Sequence, residues 1–107
     1  GDFNWSKIKS DKMMENCLFE LAYKLETPEK MKNWLKQEGF ERVNNFTNYK
    51  NNTILNAVWT GYEIPYYSNL PIFNRIIKNN FGNKYYSVQF EYVNKTPKRA
   101  QFIYPLS

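Results

Sequence analysis

Apolar residues recur at helical spacing in the first quarter of the chain. The positions that follow the i, i+3, i+4, i+7 rule are Met14, Cys17, Leu18, Leu21, Ala22 and Leu25. Ser10 and Asp11 precede them, and both are residue types that favour the N-cap of a helix. The pattern therefore predicts an amphipathic helix that begins near Asp11 and turns its apolar face toward the core.

A second and narrower apolar stripe follows within a few residues. Thr27 is a good cap, Pro28 suits the first helical position, and Glu29 suits the positive end of the helix dipole. Gly39 is the expected stop. The stripe itself consists of Met31, Trp34 and Leu35. The link between the two helices is so short that we predict a helical hairpin or a sharp corner.

Strand patterns replace helical spacing in the middle of the chain. Residues 40–49 alternate weakly, and residues 50–52 are of types that form turns. Residues 53–60 would form a strand that is almost entirely apolar on both faces, which is typical of a central strand in a sheet. Residues 61–71 are predicted to be a loop, and residues 72–81 a short helix that Gly82 ends.

The last part of the chain alternates apolar and polar residues with the period of a half-buried strand. Strands over residues 86–92 and 99–104, with a turn over residues 94–97, predict an antiparallel hairpin. Its core face is predicted to carry Val88, Phe90, Phe102 and either Tyr86 or Tyr104. Its outward face is predicted to carry Tyr85, Ser87, Gln89, Glu91, Arg99, Gln101 and Ile103.

These elements follow the order α-α-β-β-α-β-β. The order predicts a single α+β domain over residues 1–107, with a mostly antiparallel sheet and helices packed on one face. The first and third helices are expected to cover that face. Residues 1–9 are predicted to be a flexible or trimmed N-terminal segment.

The chain contains no histidine and a single cysteine, Cys17. The usual proton shuttle and the commonest metal ligand are therefore missing, and no intramolecular disulfide can form. Cys17 lies on the apolar stripe of the first helix and is predicted to be a core residue. The acidic side chains lack metal-site spacing and are expected to be solvated. We therefore predict no metal, no cofactor and no catalysis, the alternative being an enzyme whose Glu63 and Glu91 face each other across a cleft.

Nine Tyr, eight Phe and three Trp supply contact area at little cost in rotamer entropy. The loop over residues 61–71 concentrates three of these Tyr residues with two prolines that stiffen the backbone. We predict a small non-catalytic recognition module that contacts a protein or peptide partner. The contact residues would be Tyr62, Glu63, Tyr66 and Tyr67. The competing interpretation is that these rings only cover the end of the core.

A formal net charge of +5 favours acidic partners and supports a second hypothesis. The densest basic group is Lys95, Lys98 and Arg99, beside the outward face of the predicted hairpin. A basic surface with aromatic residues is typical of single-stranded nucleic-acid binding. The competing interpretation is a diffuse, solubilising charge, and fifteen Asn indicate an AT-rich genome that also raises the Tyr and Phe content. A small-molecule ligand is a third class of partner.

The compartment is only weakly indicated. The chain begins with Gly rather than Met, which favours an exported protein whose signal segment was removed, with the cytoplasm as the alternative. No apolar run reaches the ~18–20 residues of a membrane helix, so no membrane span is expected.

Overall fold

The computed structural model describes residue 3, residues 7–59 and residues 86–103. Its elements are α1 (Asp11–Leu25), α2 (Pro28–Glu38), β1 (Glu41–Thr47), β2 (Thr53–Trp59), β3 (Tyr86–Val93) and β4 (Thr96–Ile103). The strands form one antiparallel sheet in the order β1-β2-β3-β4. The α+β class and the antiparallel sheet are confirmed, as is the central position of β2. The helix predicted over residues 72–81 lies outside the described residues.

The start of α1 follows from its capping residue. The Ser10 Oγ accepts the backbone N–H of Met13 at 3.1 Å, which satisfies one of the donors left over at a helix start. Asp11 in the first turn and Lys24 in the last turn both complement the helix dipole. The helix predicted from the sequence is therefore confirmed at its start and along its length.

The bounds of α2 have equally local causes. The Thr27 Oγ1 accepts the N–H of Lys30 at 3.2 Å, and Pro28 occupies the first turn. Gly39 ends the helix with φ 104°, a left-handed conformation that favours glycine. A Cβ at Gly39 would also lie 3.3 Å from the ring of Trp59. This position therefore favours glycine for its backbone, and a Cβ there would also crowd the ring of Trp59 in β2.

The core lies between the two helices and one face of the sheet, which we call the helix-side face. α1 contacts β4, whereas α2 contacts β1 and β2. The side chains at the centre of this core are Met14, Leu18, Ala22, Met31, Leu35, Leu55, Ala57, Val88, Phe90 and Tyr92. Each large side chain buried in this way contributes roughly 1.5–3 kcal/mol. α2, which was not expected there, thus shares with α1 the covering of this face.

The predicted core face of the β3–β4 hairpin is confirmed where the structure describes it. Val88 and Phe90 are both 1% exposed, and Phe102 is half-buried against the same cluster. The side chain of Tyr86, and all of Tyr104, lie outside the described residues. Cys17 is half-buried and packs against the rim of the core rather than within it.

Two apolar side chains of the N-terminal segment contact the domain. Ile8 is 1% exposed and belongs to the core cluster. The ring of Phe3 meets the ring of Trp34 edge-on, with 5.2 Å between centroids. Both contacts bury apolar surface, and the second joins this segment to α2.

Each outer strand of the sheet, β1 and β4, has a feature that goes beyond regular strand pairing. In β1 the register shifts between Glu41 and Asn44, where Arg42 has φ 50°. At the opposite edge of the sheet, the Glu15 carboxylate of α1 accepts a hydrogen bond from the backbone N–H of Phe102 in β4 at 2.7 Å. β4 is thus held by a helix side chain as well as by its neighbouring strand.

The turn between β3 and β4 is shorter than predicted. Only Asn94 and Lys95 form it, both with positive φ (50° and 68°), the combination that a two-residue type I′ hairpin turn requires. The prediction that the turn covers residues 94–97 is therefore wrong at its far end. Thr96 and Pro97 already belong to β4, because the twist of a type I′ turn lets strand pairing resume at once.

Candidate functional site at the turn end of the sheet

The two hairpins turn at the same end of the sheet. Thr53, the first residue of β2, pairs with Tyr92 near the end of β3. The loop over residues 48–52 and the turn at residues 94–95 are therefore neighbours. We call this region the turn end of the sheet.

The side chain of Asn48 shapes the loop between β1 and β2. Its Oδ1 accepts two backbone N–H groups, from Lys50 at 3.0 Å and from Asn52 at 2.9 Å. The backbone N–H of Asn48 is donated to the carbonyl of Asn52, also at 2.9 Å. Asn51 takes the left-handed conformation, with φ 65°. Such side-chain-to-backbone bonds define the loop, so Tyr49 and Lys50 are presented from a fixed backbone.

A buried carboxylate ties this loop to the rest of the sheet. The Glu91 side chain on β3 is 7% exposed. Its Oε2 accepts the Nδ2 donors of Asn52 at 2.8 Å and Asn48 at 3.3 Å. Its Oε1 accepts an N–H of Arg99 on β4 at 3.0 Å, in an ion pair. One side chain therefore joins the β1–β2 loop, β3 and β4.

The surroundings of Glu91 favour its charged form. The hydrogen bond from Asn52 lowers the pKa of this carboxyl group, and the charges of Lys98 and Arg99 lower it further, whereas burial raises it. The net direction is downward. Glu91 therefore stays ionised at neutral pH, and its charge is engaged by donors that belong to the domain itself.

A bulge in β4 brings two consecutive cations to the same place. Glu91 pairs with Arg99 and Tyr92 pairs with Pro97, so Lys98 is the extra residue on β4. In a regular strand, Lys98 and Arg99 would point to opposite faces of the sheet. With the bulge, both side chains line one pocket.

This pocket has a volume of about 250 Å³ and lies at the turn end. Its lining consists of Asn48, Tyr49, Lys50, Glu91, Lys98 and Arg99. Three cations face one carboxylate there, which leaves an excess of two positive charges. The guanidinium of Arg99 has five N–H donors, and its side chain is 64% exposed despite the ion pair.

Tyr49 gives the pocket an open aromatic wall. It is 90% exposed, far more than the other large hydrophobic side chains that reach the surface in the described part of the chain. The Lys50 Nζ lies 5.6 Å from the centroid of the Tyr49 ring, within cation–π range. The ring therefore stands open to solvent on a loop whose backbone is fixed by hydrogen bonds.

Of the predicted basic residues, the structure brings Lys98 and Arg99 together in the pocket and places Lys95 in the neighbouring turn. The predicted contact residues Tyr62, Glu63, Tyr66 and Tyr67 lie outside the described residues. The pairing of Glu63 with Glu91 across a cleft is therefore not described either.

Sequence reasoning missed Asn48, Tyr49 and Lys50. It placed the first two in a strand over residues 40–49, whereas β1 ends at Thr47, and it treated Lys50 only as part of a turn. It was also wrong in expecting Glu91 to be a solvated surface acid on an outward face. Glu91 and Ser87 are 6% and 3% exposed. The two share the expected face of the sheet with Arg99, but that face is not open to solvent at these positions.

Two further findings concern the residues that the structure describes. Residues 7–59 and 86–103 contain no group of three or more acidic, Cys or His side chains that could hold a metal ion. Neither α1 nor α2 combines the length and the apolar character that crossing a bilayer requires.

The comparisons with known proteins give no match. No family model, no curated protein and no solved structure matches this chain.

Proposed function

We propose that this chain is a small, non-catalytic recognition module that binds single-stranded nucleic acid at the turn end of its sheet. The observation that carries the proposal is the exposed ring of Tyr49 beside a pocket with an excess of two positive charges. An aromatic platform flanked by cations is the common means of binding single strands.

The exposed ring of Tyr49 suits contact with the bases of a nucleic acid. A base in a single strand offers a free face, on which an exposed ring stacks with a gain of about 1–3 kcal/mol per base. The bases of a duplex are stacked on one another and offer no such face. Tyr49 is held on a hydrogen-bonded loop, so little backbone freedom is lost on binding. This supports a single strand over a duplex.

The cations of the pocket suit contact with the phosphates of a nucleic acid. Lys50, Lys98 and Arg99 converge on one pocket, and Glu91, the acidic residue in its lining, is already bonded to Asn48, Asn52 and Arg99. A buried carboxylate engaged in this way repels an incoming anion less than a free one, since neighbouring donors and the paired cation offset its charge. Phosphate contacts from such cations supply affinity that falls steeply with salt.

The size of the pocket supports a chain that passes across it. Pockets that enclose drug-sized ligands have volumes of about 300–1,000 Å³. The pocket at the turn end has a volume of about 250 Å³ and lies beside an exposed ring, which is compatible with a longer ligand that is only partly enclosed.

The hypothesis of a protein or peptide partner rests on Tyr62, Glu63, Tyr66 and Tyr67. Those residues lie outside the described part of the chain, so the observations on the turn end do not bear on it. It stays a separate prediction, which Tyr66→Ala and Tyr67→Ala test.

The experiment is fluorescence anisotropy of a labelled single-stranded oligonucleotide with the full chain. Tyr49→Ala is expected to weaken binding by about 1–3 kcal/mol at all salt concentrations. Lys98→Ala is expected to lower the slope of log affinity against log salt by about one. A labelled duplex of the same length is expected to bind more weakly than the single strand.

Matched controls come from the helices. Tyr23 on α1 is 58% exposed, and Lys36 lies on the exposed side of α2. Tyr23→Ala and Lys36→Ala should therefore leave the affinity unchanged. The proposal fails if the oligonucleotide does not bind, or if folded Tyr49→Ala and Lys98→Ala bind it as the wild type does. Equal binding of a labelled poly-glutamate peptide would assign the site to acidic proteins instead.

A further inference from the structure

Four amide side chains form one row across all four strands of the sheet. The direct pairings are Asn44 with Asn56, Asn56 with Gln89, and Gln89 with Gln101. Directly paired residues point to the same face of a sheet, with neighbouring strands about 4.8 Å apart. We call this set the amide row.

The amide row lies next to the pocket. On β4, Gln101 is two residues beyond Arg99, and on β3, Gln89 is two residues before Glu91. Residues two apart on a strand share a face and are separated by about 6.8 Å. Glu91 and Arg99 line the pocket, so the amide row continues the same face one step away from it.

The row is open at its outer end beside the pocket. Gln101 is exposed, and Gln89 beside it is half-buried. Deeper in the row, the Ser87 Oγ donates to the Oδ1 of Asn56 at 2.9 Å, which fixes the orientation of that amide. A ligand that enters from the pocket therefore meets Gln101 first, with Gln89 behind it.

We propose that Gln101, supported by Gln89, reads the base of the nucleotide next to the one stacked on Tyr49, and that it prefers adenine. This inference rests on the proposed function. A carboxamide offers one donor and one acceptor side by side, which match the N7 acceptor and N6 donor of adenine in a bidentate pair. In a single strand these edges are open to a side chain.

The experiment compares four labelled homopolymeric RNA oligonucleotides of equal length at one fixed salt concentration. The wild type is expected to bind oligo(A) about tenfold more tightly than oligo(U) or oligo(C), within the range that one bidentate amide–adenine pair contributes. Gln101→Ala is expected to remove most of this preference. It should leave the salt dependence unchanged, because an uncharged side chain neutralises no phosphate.

Asn45→Ala is the matched control. Asn45 is an exposed amide on β1, but it pairs with Leu55 and so belongs to the helix-side face. This variant should keep the preference for oligo(A). Circular dichroism confirms that both variants are folded.

Four outcomes overturn the inference. Equal affinity of the wild type for all four oligonucleotides, or a preference that survives in folded Gln101→Ala, contradicts base reading while leaving the proposed function intact. The absence of any oligonucleotide binding contradicts both. Loss of affinity for every oligonucleotide alike in Gln101→Ala would mean that this residue contacts the backbone rather than a base.

Discussion

The two faces of the sheet use the same strands for different purposes. The helix-side face presents Leu55, Ala57, Val88 and Phe90, all buried against α1 and α2. The opposite face alternates with it residue by residue and carries the amide row together with Glu91 and Arg99. Because the side-chain period of a strand is two, substitutions on one face leave the other largely untouched. The opposite face is mixed, since Ile54 and Val58 are buried there whereas Arg99 and Gln101 are exposed.

The two faces also differ in whether a buried side-chain oxygen has hydrogen-bond partners. On the opposite face, the Glu91 carboxylate receives hydrogen bonds from Asn48, Asn52 and Arg99. On the helix-side face, the Tyr92 hydroxyl is buried and has no hydrogen-bond partner among the described residues. The first arrangement fixes a loop in place, while the second contributes only the apolar bulk of the ring.

The largest expected effect tests the helix-side face. Phe90→Ala should lower the free energy of unfolding by about 3–5 kcal/mol, because it removes a side chain that is 1% exposed and leaves a cavity. Urea denaturation measures the loss. Phe46→Ala is the control on the opposite face, where the ring is 51% exposed, and it should cost at most about 1 kcal/mol. Similar losses in the two variants would remove the distinction between the faces.

A second variant tests the opposite face through pH. Because the pKa of Glu91 is lower in the folded chain than its ordinary value of 4.5, its ionised form stabilises the fold at any pH above that value. This contribution disappears as pH falls through the folded-state pKa. Glu91→Gln should therefore be less stable than the wild type at neutral pH, by less than Phe90→Ala.

The stability curves of the wild type and Glu91→Gln should converge in acid. Denaturant melts at a series of pH values measure this. A difference that does not change between neutral and acidic pH would show that Glu91 acts by its shape alone.

Cys17 tests the rim of the helix-side face. Burial raises the pKa of its thiol, and the charge of Glu20 raises it further. Labelling by a thiol reagent should therefore be slower in the native chain than in denaturant, and Cys17→Ala should cost about 1–2 kcal/mol. Native labelling as fast as in denaturant would contradict this placement.

The smallest expected effect concerns the buried hydroxyl group of Tyr92. Tyr92→Phe should leave stability at neutral pH unchanged or raise it slightly, since it removes a buried oxygen without a described partner. Burial raises the pKa of Tyr92 from 10 to about 12, so its neutral form is favoured in the fold. Wild-type stability should then fall as pH rises from 10 through 12, because the unfolded chain loses this proton first.

Tyr92→Phe should lose less stability over that alkaline range than the wild type. Tyr49→Phe is the matched control, because the ring of Tyr49 is 90% exposed and its hydroxyl is not buried by the fold. A marked destabilisation of Tyr92→Phe at neutral pH would reveal a hydrogen-bond partner for the hydroxyl.

The elements that the sequence predicted well are those with local causes. Ser10, Thr27 and Gly39 act on residues a few positions away, and the alternation in β3 is visible in the strand itself. The packing of α2 on the sheet depends instead on how its short apolar stripe meets β1 and β2, which follow it in the chain. The sequence therefore did not predict that α2 covers the helix-side face.

The candidate site was predicted only in part, because its geometry arises between elements. Lys98 and Arg99 stood out as a basic group, but the bulge that aims both into one pocket depends on the register of β3 against β4. The bonds from Asn48 and Asn52 to Glu91 depend on the pairing of β2 with β3. Residues that are far apart in the sequence meet at the turn end. The periodicity of apolar residues within one strand does not predict which strand pairs with it or in which register.

The bond from the Phe102 N–H to Glu15 has a consequence for how copies of this chain meet one another. An outer strand is a template on which a second chain can add a strand and begin a fibre, and this chain is rich in aromatic residues that favour strands. A chain that adds along β4 must first displace a carboxylate from that N–H, and it finds no N–H at Pro97 and a bulge at Lys98. The Glu15 carboxylate therefore disfavours strand addition along β4, the strand that carries Gln101.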